Sequence, residues 1–447
     1  VHENRKVDFS HQMVGERAIL MLPFNVVLVG KIEGSVDPLE VKRILGLLQK
    51  KHPLLSAHAE MDEEGRCFLL GGDIPYIPVR VVERKNDSSW HELVKNELKT
   101  SFPIKEGPLV RCTLNHSVNT CEIILCAHHA ICDGMSLGYL LRDLLTLLNE
   151  PEESLSPIIP PSISKDTVAK PPKIRPLQRY VMNLINKKWK AKGIRFSETD
   201  MFQMHERFWK VNDDLEFLTW AIDPQDTADL IERSKAEGVT VNSALWAMLL
   251  AAQKDTQPDE QDYRIRNALA VNTRDKLRVS VGEAFGFYAS SLTVKLKYLP
   301  KKTLWENARS IHSKIRKEIS KTNLFRMLVS ELIHPTLLDS LYFSKYGLIN
   351  DSLSGRFLKK MKWHEMSYGY AMTNVGRFDI PSDYGSLNLK EIYGPVFYSD
   401  IEEKIVGVIT TGGKMSFCLV CRKSIVSDPD RLQESFVTHL KQAIQRD

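Results

Sequence analysis

Long apolar runs are missing from this chain. The longest early one, Ala18 to Val29, is interrupted by Pro23 and Asn25 and is too short to span a bilayer. The opening residues, Val1 to Ser10, are polar and charged, so no signal peptide is expected in them. Cysteine is scarce. Seven residues without a disulfide-like framework fit a reducing compartment, and a cytoplasmic location is the expectation. Cys418 and Cys421 do form a C-x-x-C, but no second cysteine pair or histidine pair stands at zinc spacing. Both lie in an alternating, strand-like run from Lys414 to Ile425, so they are expected to pack in a core. Charge of one sign is also modest. A net charge of +5 does not argue for nucleic acid, which demands a concentrated basic face with aromatic platforms. No short-period repeat is present.

What is there is ordinary globular material, 43% hydrophobic and 26% charged. At 447 residues the chain is too long for one core and right for two or three domains. The first third alternates strands and helices. Asn25 to Ile32, Arg66 to Leu70, Val79 to Val82, Leu109 to Leu114 and Glu122 to Ala127 read as strands, the last almost wholly apolar, as a strand buried on both faces should be. Asp37 to Lys50, Trp90 to Leu98 and Ser136 to Asn149 have helical spacing, and Pro53 stops the first. Leu137, Leu140, Leu141, Leu144, Leu145 and Leu148 give the third helix an apolar stripe.

A proline-rich break follows, from Pro151 to Pro176, which can continue neither a helix nor a central strand. Leu177 to Lys192 is then a helix candidate with Leu177, Val181, Leu184, Ile185 and Trp189 on one side and basic residues on the other. The second half opens near Phe208. Asp226 to Glu237 and Val241 to Gln253 read as helices, and Arg266 to Asn272, Ser290 to Leu296, Ile405 to Thr410 and Met415 to Val420 as strands. The expectation is an α/β protein in two halves: residues 1–150, a proline-rich and basic crossover at 151–205, and residues 206–447.

The sharpest local signal is Ala127-His128-His129-Ala130-Ile131-Cys132-Asp133-Gly134, between a buried strand and an apolar-faced helix. Polar residues at such a junction sit at a sheet edge, where a substrate can reach them. Successive strand side chains point to opposite faces, so one histidine can act as a base while the other packs. A neutral imidazole accepts a proton from an alcohol or amine without a metal. Asp133 can hold the loop through an ion pair with an arginine, or it can touch His129. Gly134 suits backbone that a Cβ would hinder.

This H-H-x-x-x-D-G run resembles the signature of the condensation-domain superfamily, the chloramphenicol-acetyltransferase-like, thioester-dependent acyltransferases. Other stretches agree in order. Lys51-His52-Pro53-Leu54-Leu55 resembles a helix end of that family, and Gly107-Pro108-Leu109-Val110-Arg111 resembles the start of a strand. Val271-Asn272-Thr273-Arg274-Asp275-Lys276-Leu277, the Gly282 to Gly286 loop with Phe287, and Thr373-Asn374-Val375-Gly376-Arg377 also fit. The matching positions run from about residue 20 to residue 420.

The resemblance implies two chloramphenicol-acetyltransferase-like subdomains, mixed sheets flanked by helices, with the active-site tunnel between them. It implies that His129 is the general base, with His128, Asp133 and Gly134 completing the motif, and that Asp133 pairs with Arg274. Asn374 is the matching position for an oxyanion or acceptor contact. The donor would be acyl-coenzyme A or a phosphopantetheine thioester, with no permanently bound cofactor and no metal. The acceptor would be a small alcohol or amine, and an acyl-carrier protein is a possible donor partner. The nearest kinds are alcohol acetyltransferases and polyketide-associated acyltransferases, followed by amide-forming condensation enzymes. An inactive relative that binds without turnover is the rival of a different class.

Blander readings stand beside these. The two histidines could belong to a satisfied structural loop, or His129 and Asp133 to a metal site lacking an evident third ligand. Gly134-Met135-Ser136-Leu137-Gly138 is a literal G-x-S-x-G. In a serine hydrolase that run follows its strand directly, whereas here His128 to Asp133 intervene, so Ser136 is expected to cap the next helix. The basic stretch Lys165 to Arg195 can be a solvated face, a dock for an acidic carrier protein, a grip for coenzyme A phosphates, or a peripheral contact with an anionic membrane. Arg111 is a surface charge or a site residue, and Trp246 and Phe285 to Tyr288 are core or tunnel wall.

Overall fold

The structure is a computed structural model that describes residues 7–8, 20, 22–72, 74–150, 155–257, 262–360 and 367–445. Most of the polar opening residues, and Pro151, lie outside these. Two six-stranded mixed sheets carry the fold, and a three-stranded sheet built on Ala57–Met61 and Cys67–Gly71 sits beside the first.

The first sheet is centred on Thr120–His128, which pairs with Asn25–Glu33 on one side and Val110–His116 on the other. Burial on both faces explains why this strand reads as one apolar block. Helix Pro38–Lys51 starts where Asp37 accepts the Leu39 amide at 2.9 Å and Pro38 fixes the first turn. It packs against helix Gly134–Asn149, whose Leu137, Leu140, Leu141, Leu144 and Leu145 are fully buried. Each such side chain contributes about 1.5–3 kcal/mol of burial, so the helix that starts at the histidine loop is firmly anchored.

The second sheet runs Ala289–Lys295, Arg266–Asn272, Tyr368–Arg377, Glu402–Thr411, Lys414–Arg422, Leu215–Ile222 in spatial order. Helices Pro224–Ala236, Val241–Thr256, Leu304–Lys321 and Pro429–Ile444 contribute to its core, with Trp246, Phe417 and Phe436 at the centre. Cys418 and Cys421 are both buried on Lys414–Arg422, but they belong to different cores, one on each face of the strand. An odd spacing on a strand sends the two thiols apart, so they cannot share a metal or form a disulfide.

The halves are not cleanly divided along the chain. Leu387–Phe397 leaves the second half and pairs antiparallel with Asn25–Glu33 in the first sheet, after which Glu402–Thr411 returns to the second. The expected boundary at residue 206 falls inside helix Glu198–Val211, and the second sheet begins at Leu215. From residue 155 to residue 175 the crossover has neither helix nor named strand, only a turn at 165–167 and a single bridge between Val168 and Leu277. It leans on the first half through the Ile158 amide to the Lys51 carbonyl, and on the second through Ala169 to Lys276. Helix Pro176–Lys190 follows, but only Trp189 of its expected apolar side is fully buried, and Leu177 and Leu184 are exposed. No helix among the described residues is long and apolar enough to cross a membrane.

Candidate active site

The histidine loop lies where the two sheets meet. His128 is the last residue of Thr120–His128, and its amide donates to the Leu109 carbonyl at 2.9 Å. His129 has left the strand, and its amide donates to the Phe24 carbonyl at 2.8 Å. The two rings therefore enter different surroundings.

The His128 ring is 2% exposed. Its Nδ1 accepts the Ala130 amide at 3.2 Å, and its Nε2 faces the Leu22 carbonyl at 3.3 Å. One ring nitrogen must accept and the other donate, so this imidazole is neutral with its proton on Nε2. Burial, together with the nearby His205, pushes its pKa down to about 3. His128 holds the loop and has no lone pair to offer.

His129 is arranged the other way. Its Nδ1 lies 2.7 Å from the Cys132 carbonyl, an acceptor, so Nδ1 carries the proton. Nε2 forms no hydrogen bond among the described residues and keeps its lone pair. The residue as a whole is only partly buried. Phe24, Phe287 and Phe397 surround it with ring centroids at 5.0, 4.9 and 5.8 Å. Burial lowers its pKa, outweighing the Cys132 carbonyl and the charge on Asp133, so the imidazole is neutral at pH 7.

Asp133 does not touch His129. Its carboxylate caps helix Gly134–Asn149 through the Ser136 amide at 2.9 Å, and it also accepts the Tyr288 amide at 3.0 Å. Arg274 closes a two-pronged pair on it at 2.6 and 3.1 Å, with the guanidinium lying over the Tyr288 ring. Burial alone would raise the pKa of Asp133, but Arg274 and the two amides hold it below the usual carboxylate value. Asp133 and Ser136 come from the first half, whereas Arg274, Gly286 and Tyr288 come from the second.

Ser136 is the third residue of the helix, and Asp133 is its cap, which corrects the expectation that Ser136 caps it. The hydroxyl is fully buried. It is shared among Asp133 at 3.0 Å, Arg274 at 2.9 Å, and the carbonyl and amide of Gly286 at 2.8 and 3.1 Å. A hydroxyl so engaged is not a nucleophile on an exposed elbow. Gly134 is needed for a different reason than a special turn: a Cβ there would sit 2.3 Å from Pro395 Cγ. Gly407 is tight in the same way, 2.4 Å from the Pro395 carbonyl oxygen. Pro395 is thus wedged between the first-half helix and the second sheet.

Asn374 sits on Tyr368–Arg377, next to a bulge. Its amide oxygen accepts the Gly376 amide at 2.8 Å and its nitrogen reaches Asn242 at 3.4 Å, so no hydrogen bond ties it to the histidine loop. Arg111 is engaged in structure: it grips buried Glu97 and covers the Phe102 ring at 4.1 Å. His52 caps its helix and also reaches Asp143 at 3.2 Å, where Lys51 and Arg142 converge. No group of three His, Cys, Asp or Glu residues suited to a metal occurs among the described residues. Phe24 and Phe397 went unrecognised in the sequence, because nothing local marks a phenylalanine 105 or 268 residues from His129 as its neighbour.

Comparison with known proteins bears on the family and the fold. Residues 22–163 match the condensation domain family, and residues 215–338 match the phthiocerol/phthiodiolone dimycocerosyl transferase C-terminus. HC-toxin synthetase of Cochliobolus carbonum is 27% identical over 124 residues, 26% of this chain and 2% of that protein. Malpinin synthetase of Mortierella alpina is 25% identical over 132 residues, 28% of this chain and 2% of that protein. The matched part of the chain thus spans only a small fraction of the length of these relatives. Among solved structures, the trichothecene 15-O-acetyltransferase of Fusarium sporotrichioides superposes with a TM-score of 0.64 at 12% identity, covering 97% of this chain and 94% of that one. Polyketide synthase associated protein 5 of Mycobacterium tuberculosis gives 0.62 at 14% identity, covering 98% of each. These structures share the two-lobed fold.

Proposed function

We propose that this chain, a member of the condensation-domain superfamily by two family matches in chain order, is an acyltransferase that moves an acyl group from a thioester to a hydroxyl acceptor. The observation that carries the reading is the tautomer of His129. Its Nδ1 proton is committed to the Cys132 carbonyl, which leaves a bare Nε2 on a residue that is not fully buried, between the lobes.

In the proposed reaction the acceptor oxygen attacks the thioester carbonyl while Nε2 takes the hydroxyl proton. The carbon–sulfur bond then breaks, and the imidazolium returns that proton to the departing thiolate, giving an ester and a free thiol. No covalent acyl-enzyme is required. A placed general base contributes about 10²–10⁴ in rate. Orientation of two substrates can contribute roughly 7–11 kcal/mol, so the lobes' shape around His129 is the larger influence. The three phenylalanine rings make the surroundings of the base apolar and offer a wall to an acyl chain. Asp133 and Arg274 serve by fixing the loop.

A second reading is amide formation with an amine acceptor, favoured by the condensation-domain match and by the synthetases among the curated relatives. The same lone pair would serve it. Thiol release from a panel of acyl-coenzyme A and phosphopantetheine donors, with alcohol and amine acceptors supplied separately, tests both. Release that depends on an alcohol supports the first reading, and release only with amines supports the second. No release with any donor and acceptor would leave a binding protein without turnover.

A further inference from the structure

Helix Pro176–Lys190 has one side that packs and one that does not. On the packed side Trp189 is buried with Leu337, Leu341 and Phe357, and Asn186 bonds the Leu332 carbonyl at 2.7 Å. On the other side Leu177, Tyr180 and Leu184 are 70%, 61% and 44% exposed. Helical spacing puts these three on one stripe, which Lys187 and Lys188 continue toward the C-terminal end. Neither lysine forms an ion pair among the described residues, whereas Lys190 and Lys192 are held by Glu64 and Asp351. From Thr167 to Ser197 the chain has nine lysines and arginines and no aspartate or glutamate.

We propose that this stripe is the face by which the protein lies on an anionic lipid bilayer. Large apolar side chains this exposed, gathered on one helix stripe, mark an interaction surface. An apolar stripe continued by lysines suits the yielding boundary between headgroups and acyl chains. There Leu177 and Leu184 insert, and Tyr180 places its ring with the hydroxyl toward water. Lys187 and Lys188 reach lipid phosphates while their stems cover apolar surface. The uniform positive charge gives the approach its direction, and the packed side keeps the helix fixed to the body. The proposal does not depend on the chemistry at His129.

The test is sedimentation of the purified protein with vesicles of phosphatidylcholine containing roughly one-third phosphatidylserine, and with pure phosphatidylcholine. The parent should partition to the anionic vesicles and much less to the neutral ones. The triple variant Leu177→Ser, Tyr180→Ser, Leu184→Ser and the double variant Lys187→Glu, Lys188→Glu should each lower partition about tenfold or more, with unchanged thermal melting. A parent that stays in the supernatant with both vesicles overturns the proposal, as does binding that neither variant changes. Loss in the lysine variant alone also overturns it, since the patch would then be a plain site for polyanions such as an acidic protein.

Discussion

Arg274 grips Asp133 from across the seam, 2.6 Å from nitrogen to oxygen, joining residues 141 positions apart in the chain. Both side chains are nearly buried, and the pair is supplemented by the Ser136 hydroxyl and the Tyr288 amide. The histidine loop is therefore fixed from the second half of the chain, at the point where the two lobes meet.

Removing one partner leaves an uncompensated buried charge. Asp133→Ala and Arg274→Ala should each lose about 3–5 kcal/mol of stability, read as a lower midpoint in urea unfolding. A change within error of the parent would mean the pair is solvated in solution.

Ser136 is saturated by hydrogen bonds, so a fluorophosphonate probe should leave the protein unlabelled. Labelling of Ser136 would revive the serine-hydrolase interpretation of its G-x-S-x-G run.

Gly134 and Gly407 leave room for Pro395, and a methyl group at either must displace it. Gly134→Ala should destabilise the fold by about 1–3 kcal/mol, read by thermal melting. Gly72→Ala, where nothing lies within 4 Å of the new Cβ, is the control and should change little.

His128 stays neutral in the folded protein down to a pKa of about 3, against an ordinary value of 6.5. Between those values the unfolded chain binds the extra proton, so stability rises with pH across that window and is fully present above it. Unfolding midpoints should fall on going from about pH 7 to about pH 5, with this residue contributing up to about 1.4 kcal/mol per pH unit. His128→Gln should flatten that dependence. In the proposed reaction the lowered pKa of His129 acts on activity instead: a base there would be disabled only when protonated, so the acid limb of the rate profile should lie below 6.5.

The histidine loop was legible because two strong local patterns flank it, an apolar strand and a leucine stripe. The Asp133–Arg274 pair was not readable from periodicity and came only through the family resemblance. Leu387–Phe397 could not be assigned to the first sheet, since strand pattern says nothing about which sheet a strand joins. Helix Pro176–Lys190 misled for a related reason: spacing marks an apolar stripe, but whether anything covers it is a tertiary fact. There the fold buried Trp189 and left Leu177 outside.

The most direct test of the account compares His129→Ala with the parent in acceptor-dependent thiol release from the best acyl thioester, after circular dichroism and melting show the fold intact. The lost base predicts a fall in turnover of about 10²–10⁴, with little change in donor binding. A folded variant that transfers acyl groups at the parent rate would contradict the role given to that nitrogen.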